Sequence, residues 1–264
     1  MLGFNGGLIG KTNTTSASSS VPGLWTAREQ LEATRNQSWP TSGDLYYNNV
    51  SLLLHGDGPG STDFTDDSPR PKVFTNFGNV ISTTEKKFGT GSIRTDNSWM
   101  TAPMDDDFEL GAGDFTIECW YKGISASNYG SIVSKSFDGP AITSAYALHF
   151  RETNTTIGLY LGIFNGNVVN STTSIRNAND WFHIAVTKEA NSTRIFINGT
   201  QEGSYAGSYT IPTSSGGTLK VGRDGYSNNF RVNGYIDELR ITKGVARYTT
   251  DFPVPTAPFP NFYQ

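Results

Sequence analysis

The sequence predicts an all-β protein, a sandwich of two antiparallel sheets, and three observations carry that prediction. The first is composition. Thr (31), Ser (26) and Asn (21) make up 78 of the 264 residues, beside 16 Phe, 12 Tyr and 5 Trp, while charged residues are only 17%. Ser and Asn compete with the helical backbone for hydrogen bonds, and Thr and the aromatics lose rotamer freedom in a helix and pack well on a pleated surface. The second is spacing: from residue 45 onward, strand-like segments recur every ~8–12 residues, with no helical period of useful length. The third is a turn: Asn198-Gly199 directly follows Arg194-Ile195-Phe196-Ile197, the signature of a two-residue type I′ hairpin.

The elements follow in chain order. Residues 1–44 form an arm, Gly-rich and then Ser/Thr-rich, with scattered apolar anchors that bury too little surface to fold alone. Within it Thr26-Ala27-Arg28-Glu29 is a capping box, and Pro40 lies beyond the end, so a short helix is expected over about 26–36. Residues 45–264 form the β domain. Val50–Leu54 is a short apolar strand. Residues 114–122 alternate, with Phe115, Ile117, Cys119 and Tyr121 on one face and Thr116, Glu118, Trp120 and Lys122 on the other. Strands are expected at 146–151, 157–163, 181–188, 193–197, 218–221 and 235–241. Trp99 and Trp120 are expected in the core or between the sheets. The tail, with Pro253, Pro255, Pro258 and Pro260, lacks the N–H groups of a central strand and should run extended across the surface.

Several function classes are excluded or disfavoured. A net charge of -4 without a basic block is a poor match for nucleic acid, which needs clustered Lys and Arg. The single cysteine, Cys119, leaves no internal disulfide and no multi-Cys metal site. No stretch approaches the ~18 apolar residues of a membrane span. The start, with Asn5 and four glycines breaking the apolar run and no basic n-region, does not read as a signal peptide, so synthesis in a cytoplasm is expected.

Six ordered pieces resemble the laminin-G-like, concanavalin A-like lectin/glucanase superfamily. They are Leu52-Leu53-Leu54-His55-Gly56-Asp57-Gly58; Phe88-Gly89-Thr90-Gly91-Ser92; Gly113-Asp114-Phe115-Thr116-Ile117-Glu118-Cys119-Trp120; Trp181-Phe182-His183-Ile184-Ala185-Val186-Thr187; Ile195-Phe196-Ile197-Asn198-Gly199; and Gly234-Tyr235-Ile236-Asp237-Glu238-Leu239-Arg240-Ile241. Lys243 to Thr249 and Pro255 to Phe259 complete the set, so the resemblance covers about 50–259. It implies a jelly-roll of two antiparallel sheets. Separately, Gly6-Gly7-Leu8-Ile9-Gly10-Lys11, Gly23-Leu24-Trp25, Glu29-Gln30 and Trp39-Pro40 are similar to the N-termini of structural proteins of marine tailed bacteriophages. That similarity implies an arm that docks into other virion proteins through Leu2, Phe4, Leu8, Ile9, Trp25 and Trp39.

Glycoside hydrolysis needs two carboxyls ~5–9.5 Å apart. Asp114 and Glu118 lie four strand residues apart, about 13 Å, and Asp237-Glu238 face opposite sides, so no enzyme is expected. The three histidines, His55, His149 and His183, form no H-E-x-x-H, no G-x-S-x-G is present, and His149 and His183 are expected to be ordinary strand residues. The superfamily resemblance implies one structural calcium ion at the sandwich rim, at Asp57 and Asp237 with Ser92 as a possible further ligand. A lectin-type sugar site stacks an aromatic ring on a pyranose and surrounds it with amide donors. Asn128, Tyr129, Tyr226 and Asn228 have those residue types, in loops. The two resemblances together imply a virion surface protein, a capsid decoration or tail/fibre component made in the host cytoplasm. It would be present in many copies, attached through its arm to other virion proteins and displaying a lectin-like domain toward host-surface polysaccharide. The alternative is a carbohydrate-binding adhesin or glycan-processing protein of a bacterium.

Overall fold

A computed structural model describes residues 43–124, 130–136, 144–150, 156–161, 166–213, 217–225 and 231–263. The helix expected at 26–36, the six arm anchors and Asn128, Tyr129, Tyr226 and Asn228 lie outside the described residues.

Fifteen strands form two antiparallel sheets. The larger contains β1 (Val50–Leu54), β3 (Val80–Ser82), β4 (Ser92–Thr95), β6 (Phe115–Gly123), β11 (Trp181–Glu189), β12 (Ser192–Ile197), β13 (Thr200–Ala206) and β15 (Gly234–Lys243). Its order is β13-β12-β11-β6-β15-β4-β3. Long β15 pairs with β4 through Gly234–Ile236 and with β1 through Leu239–Thr242. The smaller sheet contains β2 (Thr75–Phe77), β5 (Trp99–Ala102), β7 (Ser131–Ser136), β8 (Ser144–Phe150), β9 (Ile157–Leu161), β10 (Gly166–Asn170) and β14 (Thr218–Val221), in the order β10-β9-β8-β7-β14-β5-β2. The only helical elements among the described residues are two 3-10 turns, Tyr47–Asn49 and Asp106–Phe108.

The alternation of β6 fixes its orientation. Phe115, Ile117, Cys119 and Tyr121 are each fully buried and join Ile184, Val186, Leu239 and Ile241 against Met100, Leu148, Phe150, Leu159 and Leu219 of the other sheet. The expected hairpin is present: Asn198 and Gly199 both take positive φ, 49° and 78°, between β12 and β13. A Cβ on Gly199 would sit 2.1 Å from the Phe252 carbonyl oxygen, so glycine also lets the tail approach.

The tail covers the outer face of the larger sheet. Thr116 Oγ1 donates to the Val245 carbonyl, Thr187 Oγ1 to the Tyr248 carbonyl, and Phe252 N–H to the Gly199 carbonyl. Its prolines need no ladder partner, and Phe259 packs into a small second cluster with Val50 and Leu53. The segment 43–47 completes this cover, with Asp44 N–H bonded to the Phe262 carbonyl. Asp44, placed in the arm by sequence, is therefore held within the sandwich.

Trp120 is buried, as expected of a core residue, though not between the sheets, while Trp99 departs from expectation. Trp120 points outward, beneath the Lys87 ammonium at 3.9 Å and against the Phe88 ring edge. Trp99 lies on the outer face of the smaller sheet and is partly exposed. Alternation decides this: Met100 and Ala102 take the inward positions of β5.

Candidate functional site: an aromatic and arginine rim

The β6 carboxylate is structural. Glu118 is fully buried on the covered outer face. Its Oε1 accepts from Arg240 Nε (3.0 Å) and Nη2 (2.8 Å), and its Oε2 accepts from Tyr248 Oη (2.9 Å). Asp44 balances the second arginine, accepting from Arg247 Nη1 (2.9 Å) and Nη2 (2.6 Å) and from Arg240 Nη1 (3.2 Å). Burial pushes the Glu118 carboxyl up, but the Arg240 charge, the His183 contact and the Arg247 charge outweigh it and hold the group far below the usual carboxylate range. Asp114 Oδ1 accepts the Ala190 N–H. His183, fully buried, sits 3.3 Å from Glu118 Oε2 within an aromatic cage of Trp120, Tyr248, Phe252 and Phe259. His149 is also buried in its strand, as expected.

The proposed calcium positions are brought to one loop. Asp57 Oδ1 accepts the N–H groups of Thr90 (2.5 Å) and Gly91 (2.8 Å). Asp237 Oδ2 accepts those of Lys87 (2.7 Å) and Phe88 (3.1 Å). Ser92 Oγ donates to the Glu85 carbonyl. Four amide donors thus converge on two carboxylates, and a calcium ion instead needs 6–8 oxygens around it. Among the described residues no group of three or more His, Cys, Asp or Glu is placed to hold a metal ion. The amide bonds make two clamps that pin the 85–91 loop to Asp57, beyond β1, and to Asp237 of β15. Asp237 Oδ1 is buried without a partner. Burial first, then the charges of Glu238 and Asp57, push the Asp237 carboxyl up to about 7 against the two amide bonds.

The remaining cluster lies at one end of the smaller sheet. Phe77 and Trp99 pair across β2 and β5 with ring centroids 5.0 Å apart and planes 13° from parallel. The guanidinium carbons of Arg223 and Arg231 lie 4.5 and 4.4 Å from the Trp99 ring centre. Local backbone builds this rim. Asn97 takes a left-handed φ of 55°, and its carbonyl accepts from Arg231 Nη1. Gly222, φ 94°, passes so close to Ser98 that a Cβ would lie 2.9 Å from its carbonyl oxygen. Phe77 is 46% exposed.

This rim also gathers the described ends of both candidate sugar loops. Arg223 and Arg231, which flank Tyr226 and Asn228 in sequence, form an antiparallel bridge. Ser131, just beyond Asn128 and Tyr129, bridges to Arg231 in parallel. Ser131 Oγ meets His149 Nδ1 at 3.0 Å, and His149 Nδ1 lies 3.6 Å from buried Asp224. Trp99, Phe77 and Arg231 escaped the sequence reading. The usable signal was the pair of arginines bracketing the Tyr/Asn segment.

The family model described as the concanavalin A-like lectin/glucanases superfamily matches residues 94–247, more than half of the chain. The chain belongs to that superfamily. No curated protein matches the sequence. Among solved structures, domain 4 of AbnA, a GH43 extracellular arabinanase from Geobacillus stearothermophilus, in complex with arabinotriose, aligns with a TM-score of 0.59 at 16% identity, over 75% of this chain and 94% of that one. The binding domain of Paraclostridial Mosquitocidal Protein 1 gives 0.57 at 15%, over 77% of this chain and 50% of that one. The binding domain of botulinum neurotoxin DC, in complex with SialylT, gives 0.53 at 13%, over 76% and 49%. The chain spans about half the length of these toxin domains. At such identities the likeness shows the fold, a lectin-like sandwich.

Proposed function

We propose that this protein is a glycan-binding module displayed on the surface of a tailed-phage virion, with residues 1–44 as its attachment arm. The observation that carries the glycan reading is the meeting at Arg231: the ends of two segments rich in Tyr and Asn come together beside a stacked, partly exposed aromatic pair. Aromatic faces with neighbouring polar donors are what a small, polar, ring-shaped ligand needs. An arabinanase domain in complex with arabinotriose and a neurotoxin binding domain in complex with SialylT share the fold and add support. Binding without hydrolysis is the reading because the β6 carboxylate is spent in a sealed ion network. Many copies on one particle would convert weak single-site affinity into avidity. The virion role rests on the arm's similarity to phage structural proteins.

The test is a glycan array probed with the full chain, beside the Phe77→Ala variant. Retention of at least one glycan, weakened in the variant, is expected. No retained glycan would leave a purely structural surface module. For the virion role, a chain lacking residues 1–40 is expected to be absent from purified particles, and its presence there would remove the docking arm.

A further inference from the structure

Five of the described arginines are matched to carboxylates. Arg240 is matched to Glu118 and Asp44, Arg247 to Asp44, Arg70 to Asp107, Arg94 to Asp96 and Arg194 to Glu189. Arg231 breaks the pattern. Among the described residues it has no carboxylate partner; its Nη1 donates to the Asn97 carbonyl, and its Nε is buried with no acceptor. A buried donor left unpaired in a native structure calls for an explanation. Burial, then the Arg223 charge, pull the Arg231 pKa down. Two guanidiniums are therefore held together on one Trp ring, in a chain whose net charge is -4.

The Trp99 ring occupies one side of the Arg231 guanidinium. The N–H groups of a guanidinium lie in its plane, and the Nε–Nη2 edge is the fork that grips an oxyanion through two parallel hydrogen bonds. Phe77, stacked on the same Trp99 and partly exposed, offers an apolar face. We propose that this rim is the subsite for an acidic glycan, whose carboxylate or sulfate seats on the Arg231 fork, while a neighbouring sugar ring of the same chain lies on Phe77. The inference rests on the glycan-binding reading and adds the class of glycan. In Arg231→Lys the charge survives and the fork does not.

The experiment measures retention of the full chain on polygalacturonate (carboxylate), carrageenan (sulfate) and neutral laminarin and arabinan, for the wild type, Arg231→Gln and Arg231→Lys, with a melting curve for each. Wild-type protein is expected to bind one or both acidic polymers, and which one names the anion. Arg231→Gln should weaken that binding by about tenfold or more, as loss of a charge-assisted contact does, and added salt should weaken it in the wild type. Arg231→Lys should fall between them, and it carries the test if Arg231→Gln melts early. Acidic-polymer binding that is indifferent to both substitutions overturns the proposal. So does retention of neutral polymers alone, which leaves the glycan reading standing. Retention of nothing sinks both.

Discussion

Arg240 grips a single oxygen of Glu118, donating to Oε1 from both Nε and Nη2 across 122 residues of sequence. The pair joins β6 to β15 on a face that solvent does not reach, and Arg247, Asp44 and Tyr248 close the network around it. Removing one member of a buried pair leaves its partner charged and unmatched, which costs about 3–5 kcal/mol. Glu118→Gln is therefore expected to lower the unfolding free energy by that much, read by chemical denaturation. A variant as stable as the wild type would show that the network is dispensable.

The tail is expected to behave as part of the fold. Phe259 is buried, its N–H donates to Glu238 Oε2 at 2.7 Å, and the Arg240 guanidinium lies 3.7 Å from its ring centre. Phe259→Ala should cost about 3–5 kcal/mol, the range for a buried Phe, read by chemical unfolding. A loss within about 0.5 kcal/mol, the surface range, would mean that the tail merely rests on the sheet.

Metal dependence separates the two readings of Asp57 and Asp237. With two amide donors on one oxygen of each carboxylate, the clamps need no ion, and the melting temperature should be unmoved by EDTA or by added Ca²⁺. Asp57→Ala should destabilise by about 1–3 kcal/mol through the orphaned Thr90 and Gly91 amides, equally with and without chelator. A melting temperature raised by Ca²⁺ in the wild type but not in Asp57→Ala would restore the ion.

Asp237 should also leave a pH signature. Its folded-state pKa, about 7, lies above its ordinary 3.8. The folded protein then binds the proton more tightly than the unfolded chain, so this contribution is complete at low pH and is lost as pH rises from about 4 to about 7. His55, held on Glu238 and raised from 6.5, acts in the same direction at the upper end of that window. The slope from Asp237 cannot exceed about 1.4 kcal/mol per pH unit. Unfolding free energy in EDTA should fall across this window, and Asp237→Asn should flatten the curve; parallel profiles for both proteins would refute the assignment.

The arm carries its own prediction. Trp is enriched among the few side chains that dominate an interface. Trp25→Ala combined with Trp39→Ala should free the protein from virions and leave the melting curve of the β domain unchanged. Wild-type occupancy of the double variant would make the arm a spacer.

The sequence by itself determined what local chemistry controls. β1 and β14 fall on the residues expected, the inward face of β6 was readable from strict alternation, and Asn198-Gly199 made the hairpin because both residues tolerate positive φ. The prolines of the tail excluded a central strand for an equally local reason. Short polar strands such as β2, β3, β7 and β10 carried no such signal, because their burial comes from what covers them. Nor did Glu118 announce a salt bridge to Arg240, or Trp99 a place between Phe77 and two arginines. Those partners lie up to 132 positions away. Only tertiary pairing sets such distances, since backbone propensity specifies a residue's own conformation and says nothing of which distant strand will lie beside it.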